Sequence, residues 1–163
     1  MELPTSIQCD FDGDGLCNGT DIDSMFAQGP IADMIEVVSG MNDQFDLDAD
    51  GDIDLDDRDQ WLALAASENG LSSPYRLGDA NLDGFVEVAD FNVWNSNRFQ
   101  FELSWTRGNF NGDEVVDVSD FNDWNSTRFT SSDAAVPEPH GFSLAVTTFL
   151  IGFFWRRQSR YRA

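Results

Sequence analysis

The sequence contains no lysine: its nine basic residues are all arginines, against 30 acidic residues in a chain of 163. It also has a single histidine and only two cysteines, which do not form a metal-type CxxC spacing. The net charge of −21 excludes a nucleic-acid partner for the main body of the chain, because the phosphate backbone would repel it. Hydrophobic residues make up 41% of the sequence, too many for a simple acidic tail. The acidic residues therefore accompany a folded core, and cations are their natural partners.

The acidic residues are densest in the segment FDLDADGDIDLDD, residues 45–57, where seven carboxylates fall between Asp46 and Asp57. Left unpaired, carboxylates at this density would repel one another and keep the segment extended and solvated. The segment is therefore either a disordered acidic run or the binding site of a doubly charged cation.

Four twelve-residue windows have oxygen-bearing side chains at positions 1, 3, 5, 9 and 12, with glycine at position 6 in the first three. A calcium ion takes about 6 to 8 oxygen ligands, and a tight loop that offers alternate side chains and the position-7 carbonyl can surround one ion. The predicted ligands are Asp10, Asp12, Asp14, Leu16, Asn18 and Asp21 in the first loop; Asp46, Asp48, Asp50, Asp52, Asp54 and Asp57 in the second; Asp79, Asn81, Asp83, Phe85, Glu87 and Asp90 in the third; and Asn109, Asn111, Asp113, Val115, Asp117 and Asp120 in the fourth. The windows predict three to four bound calcium ions.

Chance occurrence in an Asp-rich, low-complexity segment is the alternative explanation. It does not readily give four copies that each have aspartate at position 12 followed by an apolar helical pattern. The fourth window departs from the others, because Asn109 removes a charge and Glu114 occupies the glycine position. We therefore expect the fourth site to be the weakest, and the sequence leaves open whether it binds an ion.

A short segment with helical spacing of apolar residues follows each window, and the position-12 aspartate lies at the helix N-terminus. No comparable helix precedes a window, so the predicted unit is a loop followed by a helix. Position 8 is apolar in three windows, which predicts a short β-bridge between paired loops. A shared small core is predicted from Phe91, Trp94, Phe99, Phe121, Trp124 and Phe129.

Residues 78–99 and 108–129 are identical at most positions when aligned at an offset of thirty. These tandem loop-helix repeats, with aspartate at position 12 and no preceding helix, resemble a dockerin domain, the calcium-dependent module that type I cohesins bind. Residues 10–66 resemble a second, more divergent pair. The resemblance implies a pseudo-twofold module that presents similar faces to a cohesin-like partner. Carried over by position, the partner-binding residues are Val88, Ala89, Asn95, Ser96, Val118, Ser119, Asn125 and Ser126. For the Asn-Ser pairs, the alternative is a solvated helix end.

Cys9 and Cys17 flank the first loop. They could be reduced or could form a redox pair. In an exported protein, a disulfide that closes the first loop is the favoured interpretation.

The C-terminal segment combines Val-Pro-Glu-Pro, the uncharged run GFSLAVTTFLIGFFW and the arginine-rich end RRQSRYRA. The run is shorter than the roughly 20 residues of a typical membrane helix, so it is a marginal span or a buried helix, and the arginines argue against the latter. The arrangement resembles a PEP-CTERM sorting signal with motif residues Pro137, Glu138, Pro139, Arg156 and Arg157. The resemblance implies a bacterial protein that is exported, held in the cell envelope through its C-terminal helix, and released after processing by an exosortase-type enzyme. His140, in the linker before the run, is assigned no role.

The N-terminal residues MELPTSIQCD have neither the basic nor the apolar region of a signal peptide. Because an exported protein should have one, we expect this chain to be the C-terminal part of a longer secreted protein.

These features predict a small, mainly α protein with tandem calcium loop-helix (dockerin-like, EF-hand-like) repeats and a C-terminal hydrophobic helix. The predicted divisions are a divergent pair at 1–70, a dockerin-like pair at 71–130, a linker at 131–140 and a sorting tail at 141–163. The expected function is calcium-dependent protein attachment, and the alternative is a calcium-rigidified spacer without a cohesin partner. An enzyme such as a glycoside hydrolase is not expected, because the carboxylates occur at ligand spacing and the chain is too short for a large cleft-forming domain.

Overall fold

The computed structural model describes residues 7–133, and every acidic loop in this range is followed by an α-helix. The four helices are α1 (Gly19–Phe26), α2 (Leu55–Glu68), α3 (Val88–Asn97) and α4 (Val118–Thr127). None of the four has the length and apolar character that a membrane span requires. The apolar C-terminal run, and with it the predicted hydrophobic helix, lies outside the described residues.

Short elements fill the connections between the helices. Three 3₁₀ turns occur at Ile31–Asp33, Asp43–Phe45 and Trp105–Arg107. Strands β1 (Ile35–Glu36) and β2 (Asp52–Ile53) form a two-stranded antiparallel sheet. The described part of the protein is thus small and mainly helical, and no α-helix directly precedes an acidic loop.

Each of the four described α-helices begins with a capping pair at positions 9 and 12 of the preceding loop. The position-9 residue is the N-cap, and the position-12 aspartate accepts a hydrogen bond from the N-cap backbone N–H. This reciprocal capping box satisfies backbone donors that otherwise lack partners at a helix start. It also places a negative charge at the positive end of the helix dipole, as the sequence predicted. The N-caps are Asn18, Asp54, Glu87 and Asp117.

The loops are not bridged to each other, which corrects the expectation of a β-bridge between paired loops. Val86 in the third loop accepts a hydrogen bond from Phe129 N–H and donates one to the Thr130 carbonyl, in the segment after α4. Val116 in the fourth loop bonds in the same way with residues 99–100, after α3. In the second loop, β2 pairs with β1, which follows α1. Each of these loops forms hydrogen bonds with the segment that follows the other helix of its pair. The packing of the two helices against each other places that segment beside the loop.

One hydrophobic cluster includes residues from both predicted halves of the chain. Its largest fully buried side chains are Trp61 and Trp105. Trp61 Nε1 donates to the Cys9 carbonyl at 2.9 Å, and Trp105 Nε1 donates to the Asp79 carbonyl at 2.8 Å. Both tryptophans thus anchor a chain segment at the start of an acidic loop. The repeat pattern did not identify Trp105, which lies before the fourth loop.

The predicted small core of Phe91, Trp94, Phe99, Phe121, Trp124 and Phe129 is only partly correct. The two tryptophans are buried, and each ring contacts a phenylalanine of the other helix: the centroids of Phe91 and Trp124 are 5.2 Å apart, and those of Phe121 and Trp94 are 5.1 Å apart. The last phenylalanine of each repeat is instead exposed, by 70% and 74%. Each follows a helix end with a left-handed backbone, φ 65° and 63°, and this reversal of the chain directs the ring away from the core.

Contacts cross the predicted boundary at residue 70. Thr106 donates from its backbone N–H and from its hydroxyl to the Asp23 carboxylate, at 3.1 and 2.5 Å. The rings of Phe26 and Trp105 meet edge to face, with centroids 6.1 Å apart. These contacts hold the two loop pairs together, while the division of the chain at residue 70 stays a prediction.

Candidate metal-binding loops

The position-12 aspartates have the same environment in all four loops. They are Asp21, Asp57, Asp90 and Asp120, and at most 1% of each is exposed. In the first loop, Oδ1 of Asp21 accepts hydrogen bonds from Phe11 N–H and Asp12 N–H at 2.8 and 3.2 Å, and Oδ2 accepts one from Asn18 N–H at 2.9 Å. The other three aspartates accept the equivalent bonds. Each aspartate therefore ties the start of its loop to the start of its helix.

The carboxylate at position 1 organises the turn of the first and third loops. Asp10 accepts hydrogen bonds from the backbone N–H groups of residues 13–15 at 2.8–3.1 Å. In the third loop, Asp79 accepts them from Asp83 and Gly84 at 3.2 and 3.0 Å. Backbone hydrogen bonds to this carboxylate therefore fix the turn by themselves.

The four loops share a backbone path from position 3 to position 7. The side chain at position 3 accepts a hydrogen bond from the position-5 N–H at 3.0–3.2 Å in every loop. The carboxylate at position 5 accepts one from the position-7 N–H at 2.7–3.2 Å. The position-7 residues, predicted to offer their carbonyls, are Leu16, Asp52, Phe85 and Val115. This repeated geometry makes the four windows structural repeats as well as sequence repeats.

The loops reverse direction at two positions, of which the sequence pattern identified one. Position 6 has positive φ in the first three loops, where Gly15, Gly51 and Gly84 permit it. Position 4 has positive φ in all four loops, although it is Ala49 in the second and Leu82 in the third. Residues other than glycine rarely adopt this region, so these two side chains carry no sequence signal for a turn.

Two groups of carboxylates lie close enough together to hold a metal ion. They are Asp10, Asp12 and Asp21 in the first loop, and Asp46, Asp48 and Asp50 in the second. Within each group, the candidate ligand oxygens lie within 4.8 Å of one another. The third and fourth loops do not form such a group of three acidic side chains; both have asparagine at position 3, and the fourth also has asparagine at position 1.

Within residues 7–133, the acidic groups of the first two loops have no basic side chain as a counter-ion. In residues 7–133 the ion pairs are Arg58–Asp59 and Arg107–Glu102, which involve none of the predicted ligands. Two buried oxygens of the second loop, Oδ1 of Asp46 and Oδ1 of Asp52, have no hydrogen-bond partner. Burial of an unpaired oxygen costs free energy, so a cation bound in the second loop would be stabilising.

Burial makes several loop carboxylates harder to ionise. It raises the pKa of Asp79 to about 7, and the neighbouring charge of Asp90 adds to the effect. It raises the pKa of Asp120 to about 6, against the opposing effect of the backbone N–H groups that donate to this carboxylate. Burial also raises the pKa of Asp57 and of Asp90. A positive ion among these oxygens would favour the ionised forms.

The fourth loop differs from the other three at positions 1 and 6. Asn109 at position 1 is fully buried, and its Nδ2 donates to the backbone carbonyls of Glu102 and Asp113. Glu114 at position 6 does not have the positive φ of the corresponding glycines. The fourth loop therefore follows the backbone path of the other three, but it is closed by the buried Asn109 amide and has no glycine at position 6.

The predicted partner-binding residues lie on the surface or near it. Val88 and Val118 are 58% and 56% exposed, and the alanine and serines of the set, Ala89, Ser96, Ser119 and Ser126, are also exposed. Asn95 and Asn125 are half-buried, and their Oδ1 atoms accept hydrogen bonds from Arg98 and Arg128 respectively. Phe99, Phe101 and Phe129, which are not among the predicted partner-binding residues, are exposed by 70% or more.

Cys9 and Cys17 are joined by a disulfide across the first loop. Both are buried, and both backbone carbonyls accept hydrogen bonds: Cys9 from Trp61 Nε1 and Cys17 from Asn69 Nδ2, each at 2.9 Å. The disulfide therefore fixes the first loop against α2 and the residue that follows it.

The predicted sorting motif, with Pro137, Glu138, Pro139, Arg156 and Arg157, lies outside the described residues, as does His140. No family model, no curated protein and no solved structure matches this chain.

Proposed function

We propose that this chain is a calcium-binding module that attaches a protein of the bacterial cell envelope to a partner, as a dockerin does. The observation that carries the proposal is the pair of carboxylate groups in the first two loops, whose oxygens lie within 4.8 Å of one another without a basic counter-ion in the described part of the chain. Like charges at this separation repel, and a divalent cation among them reverses the sign of the interaction.

The ligand set favours calcium over a transition metal. Every predicted side-chain ligand is a carboxylate or an amide, position 7 offers a backbone carbonyl, and the two cysteines beside the first loop are bonded to each other. Hard cations select oxygen ligands, and calcium accepts the irregular, multidentate geometry that a twelve-residue loop provides. Magnesium, which needs a smaller and more regular octahedral site, is the competitor to test.

Calcium binding is tested by calorimetric titration of the full chain after chelation, first with calcium and then with magnesium. Asp48→Asn removes one charge from the second loop but keeps an oxygen that can accept the hydrogen bond from Asp50 N–H. We expect this variant to lose or greatly weaken one calcium site. Asp33→Asn removes the same charge from an exposed position outside the loops and is the matched control. Equal binding by both variants and the unmodified chain would count against ion binding in the second loop.

Attachment through the repeated faces is supported by Val88 and Val118, which occupy equivalent positions in the two repeats and are both more than half exposed. The test uses immobilised type I cohesin modules as probes, in calcium and in chelator. Simultaneous replacement of Val88, Asn95, Val118 and Asn125 by alanine should abolish capture and leave calcium uptake unchanged. Capture that survives these changes would exclude this face.

A calcium-rigidified spacer is the second candidate, and one observation favours it. Arg98 and Arg128 hold Oδ1 of Asn95 and of Asn125 at 2.7 and 2.5 Å, so these amides already have partners within their own helix ends. Failure of a cohesin panel to bind the calcium-loaded chain, with calcium uptake intact, would leave the spacer as the better account.

Export, sorting and processing by an exosortase-type enzyme are part of the proposal and rest on the sequence of residues 136–163. Fractionation of cells that express the chain behind a secretory signal peptide tests them. Replacement of Pro137, Glu138 and Pro139 by alanine should leave the protein unprocessed in the membrane fraction, whereas identical processing of both forms would contradict the proposed signal.

A further inference from the structure

Asn109 occupies the position at which the repeat pattern expects a calcium ligand, and its side chain forms hydrogen bonds within the protein. Its Oδ1 accepts a hydrogen bond from Gly112 N–H at 2.9 Å, and its Nδ2 donates to the carbonyls of Glu102 and Asp113 at 2.7 and 2.5 Å. The amide nitrogen cannot bind a metal, and the amide oxygen, which keeps one free lone pair, carries no negative charge. Rotation of the amide would bring its oxygen against two carbonyl oxygens. The side chain therefore holds the fourth loop together through protein contacts and offers a cation an uncharged oxygen in place of a carboxylate.

Arg58 of α2 brings a permanent positive charge to the same loop. It is only 6% exposed, and its Nη1 donates to the Phe110 carbonyl, at position 2 of the fourth loop, at 3.0 Å. Its other guanidinium nitrogens bind Asp59. Its charge also partly offsets the burial that raises the pKa of Asp123 in α4. A guanidinium from the N-terminal half thus binds the backbone of the fourth loop.

The turn of the fourth loop is packed against the N-terminal half of the chain. Gly112, at position 4, accepts a hydrogen bond from Ala32 N–H at 3.0 Å. A Cβ added at Gly112 would lie 2.5 Å from Cγ1 of Ile31, whereas one added at Gly13, the equivalent residue of the first loop, would have nothing within 4 Å. Position 4 is therefore open in the first loop and an internal contact in the fourth.

From the contacts of Arg58 and Gly112 we infer that the fourth loop is the docking site of the N-terminal half of this chain, and from the loss of the position-1 charge at Asn109 beside this guanidinium that calcium occupies only the first three loops. The count of three ions rests on the proposed calcium binding. The docking does not, because its contacts are a guanidinium, backbone groups and the side chain of Ile31, which need no ion. The two similar repeats at 78–99 and 108–129 consequently differ in what orders them: calcium completes the third loop, and the N-terminal half completes the fourth.

Asp83 and Asp113 provide a matched pair of variants for the ion count. Each is the position-5 carboxylate of its loop, and each accepts hydrogen bonds from the position-3 amide and from the position-7 N–H. Asparagine can replace either one with little change in shape. In calorimetric titrations of the full chain, we expect three calcium ions for the unmodified protein, loss or at least tenfold weakening of one site in Asp83→Asn, and no change in Asp113→Asn. Four ions in the unmodified protein, with one lost in Asp113→Asn, would overturn the inference and leave the proposed function standing.

The docking itself is tested in chelator, where calcium has no influence. Arg58→Gln removes the guanidinium that holds the Phe110 carbonyl, and Arg76→Gln removes an exposed arginine as control. Arg58→Gln should lower the melting temperature by about 5 °C or more relative to the control, with a similar decrease in calcium. Equal melting of the two variants in chelator would overturn the docking. If no form of the chain bound calcium, the proposed function would fail while this comparison would still decide the docking.

Discussion

Trp94 and Trp124 exchange equivalent hydrogen bonds between the third and fourth repeats. Trp94 Nε1 donates to the Asp117 carbonyl at 2.7 Å, and Trp124 Nε1 donates to the Glu87 carbonyl at 3.0 Å. Both acceptors are position-9 residues, which cap α4 and α3. The helix of each repeat therefore binds the loop of the other repeat. The two equivalent tryptophans of the repeated sequence thus make reciprocal contacts.

Replacement of Trp124 by phenylalanine removes the bond to Glu87, a predicted ligand of the third loop. We expect the free energy of unfolding to fall by about 1 kcal/mol or more, and calcium affinity of one site to fall several-fold. Trp94→Phe is the control: it should cost similar stability but leave calcium affinity unchanged, because its acceptor lies in the fourth loop. Denaturant unfolding and calorimetry measure the two effects, and equal losses of affinity in both variants would mean that the two loops are equivalent.

Gly78 and Gly108 allow close contact between each loop start and the opposite helix. A Cβ at Gly78 would lie 2.6 Å from Cα of Trp124, and one at Gly108 would lie 2.9 Å from Cα of Trp94. The left-handed backbone alone costs an alanine about 1–2 kcal/mol, and the clash with backbone atoms adds about 1–3 kcal/mol. Gly70→Ala has a comparable φ but open space around it, so it isolates the backbone cost. If Gly78→Ala and Gly70→Ala unfolded at the same denaturant concentration, the close packing of the two repeats would be wrong.

Loss of the Cys9–Cys17 disulfide should destabilise the first loop. The two residues are separated by eight positions, and opening a loop of this length costs about 2.5 kcal/mol in the chain-entropy account. We expect Cys9→Ser with Cys17→Ser to lower the free energy of unfolding by roughly this amount and to weaken calcium binding at one site. Reduction of the unmodified chain provides an independent check. Unchanged stability after full reduction would show that the bond does not constrain the loop.

The stability of the protein should depend on pH in opposite directions with and without calcium. Without the ion, burial, together with the neighbouring charge of Asp90, raises the pKa of Asp79 in the folded state from its ordinary value of 3.8 to about 7. Between pH 3.8 and about 7, the folded state therefore binds more protons than the unfolded state. The stability of the chelated protein consequently rises as the pH falls from 8 towards 5. In calcium, protons compete with the ion and affinity falls over the same range.

Asp79→Asn tests the source of this pH dependence. It should reduce the pH dependence of the chelated protein and leave a part that comes from other buried carboxylates such as Asp120. Melting temperatures between pH 5 and 8, in chelator and in calcium, measure both trends. Greater stability of the chelated protein at pH 8 than at pH 5.5 would contradict the assignment.

The sequence predicted the features that depend on neighbouring residues. The spacing of side-chain oxygens located all four loops, and the position-12 aspartates marked the helix starts that Asp21 and Asp120 occupy. These features are local: a capping box joins residues three positions apart, and a turn glycine acts on its own backbone.

The features that the sequence did not predict depend on contacts between distant residues. Arg58 reaches Phe110 across 52 positions, and nothing in either neighbourhood signals the contact. The exposure of Phe99 and Phe129 was also missed, because composition favours a core for phenylalanine while the left-handed backbone after the helix decides otherwise. Pairing of the loops with post-helix segments could not be predicted for the same reason, since it follows from how the helices pack.

The most direct test of the account is a calorimetric calcium titration of the full chain, followed by far-ultraviolet circular dichroism, after the protein has been stripped with chelator. We expect saturable heat corresponding to three ions per chain, with a gain of helical signal and a higher melting temperature. Absence of heat and of any spectral or thermal change at millimolar calcium would contradict it, and would leave the acidic loops without an ion-binding role.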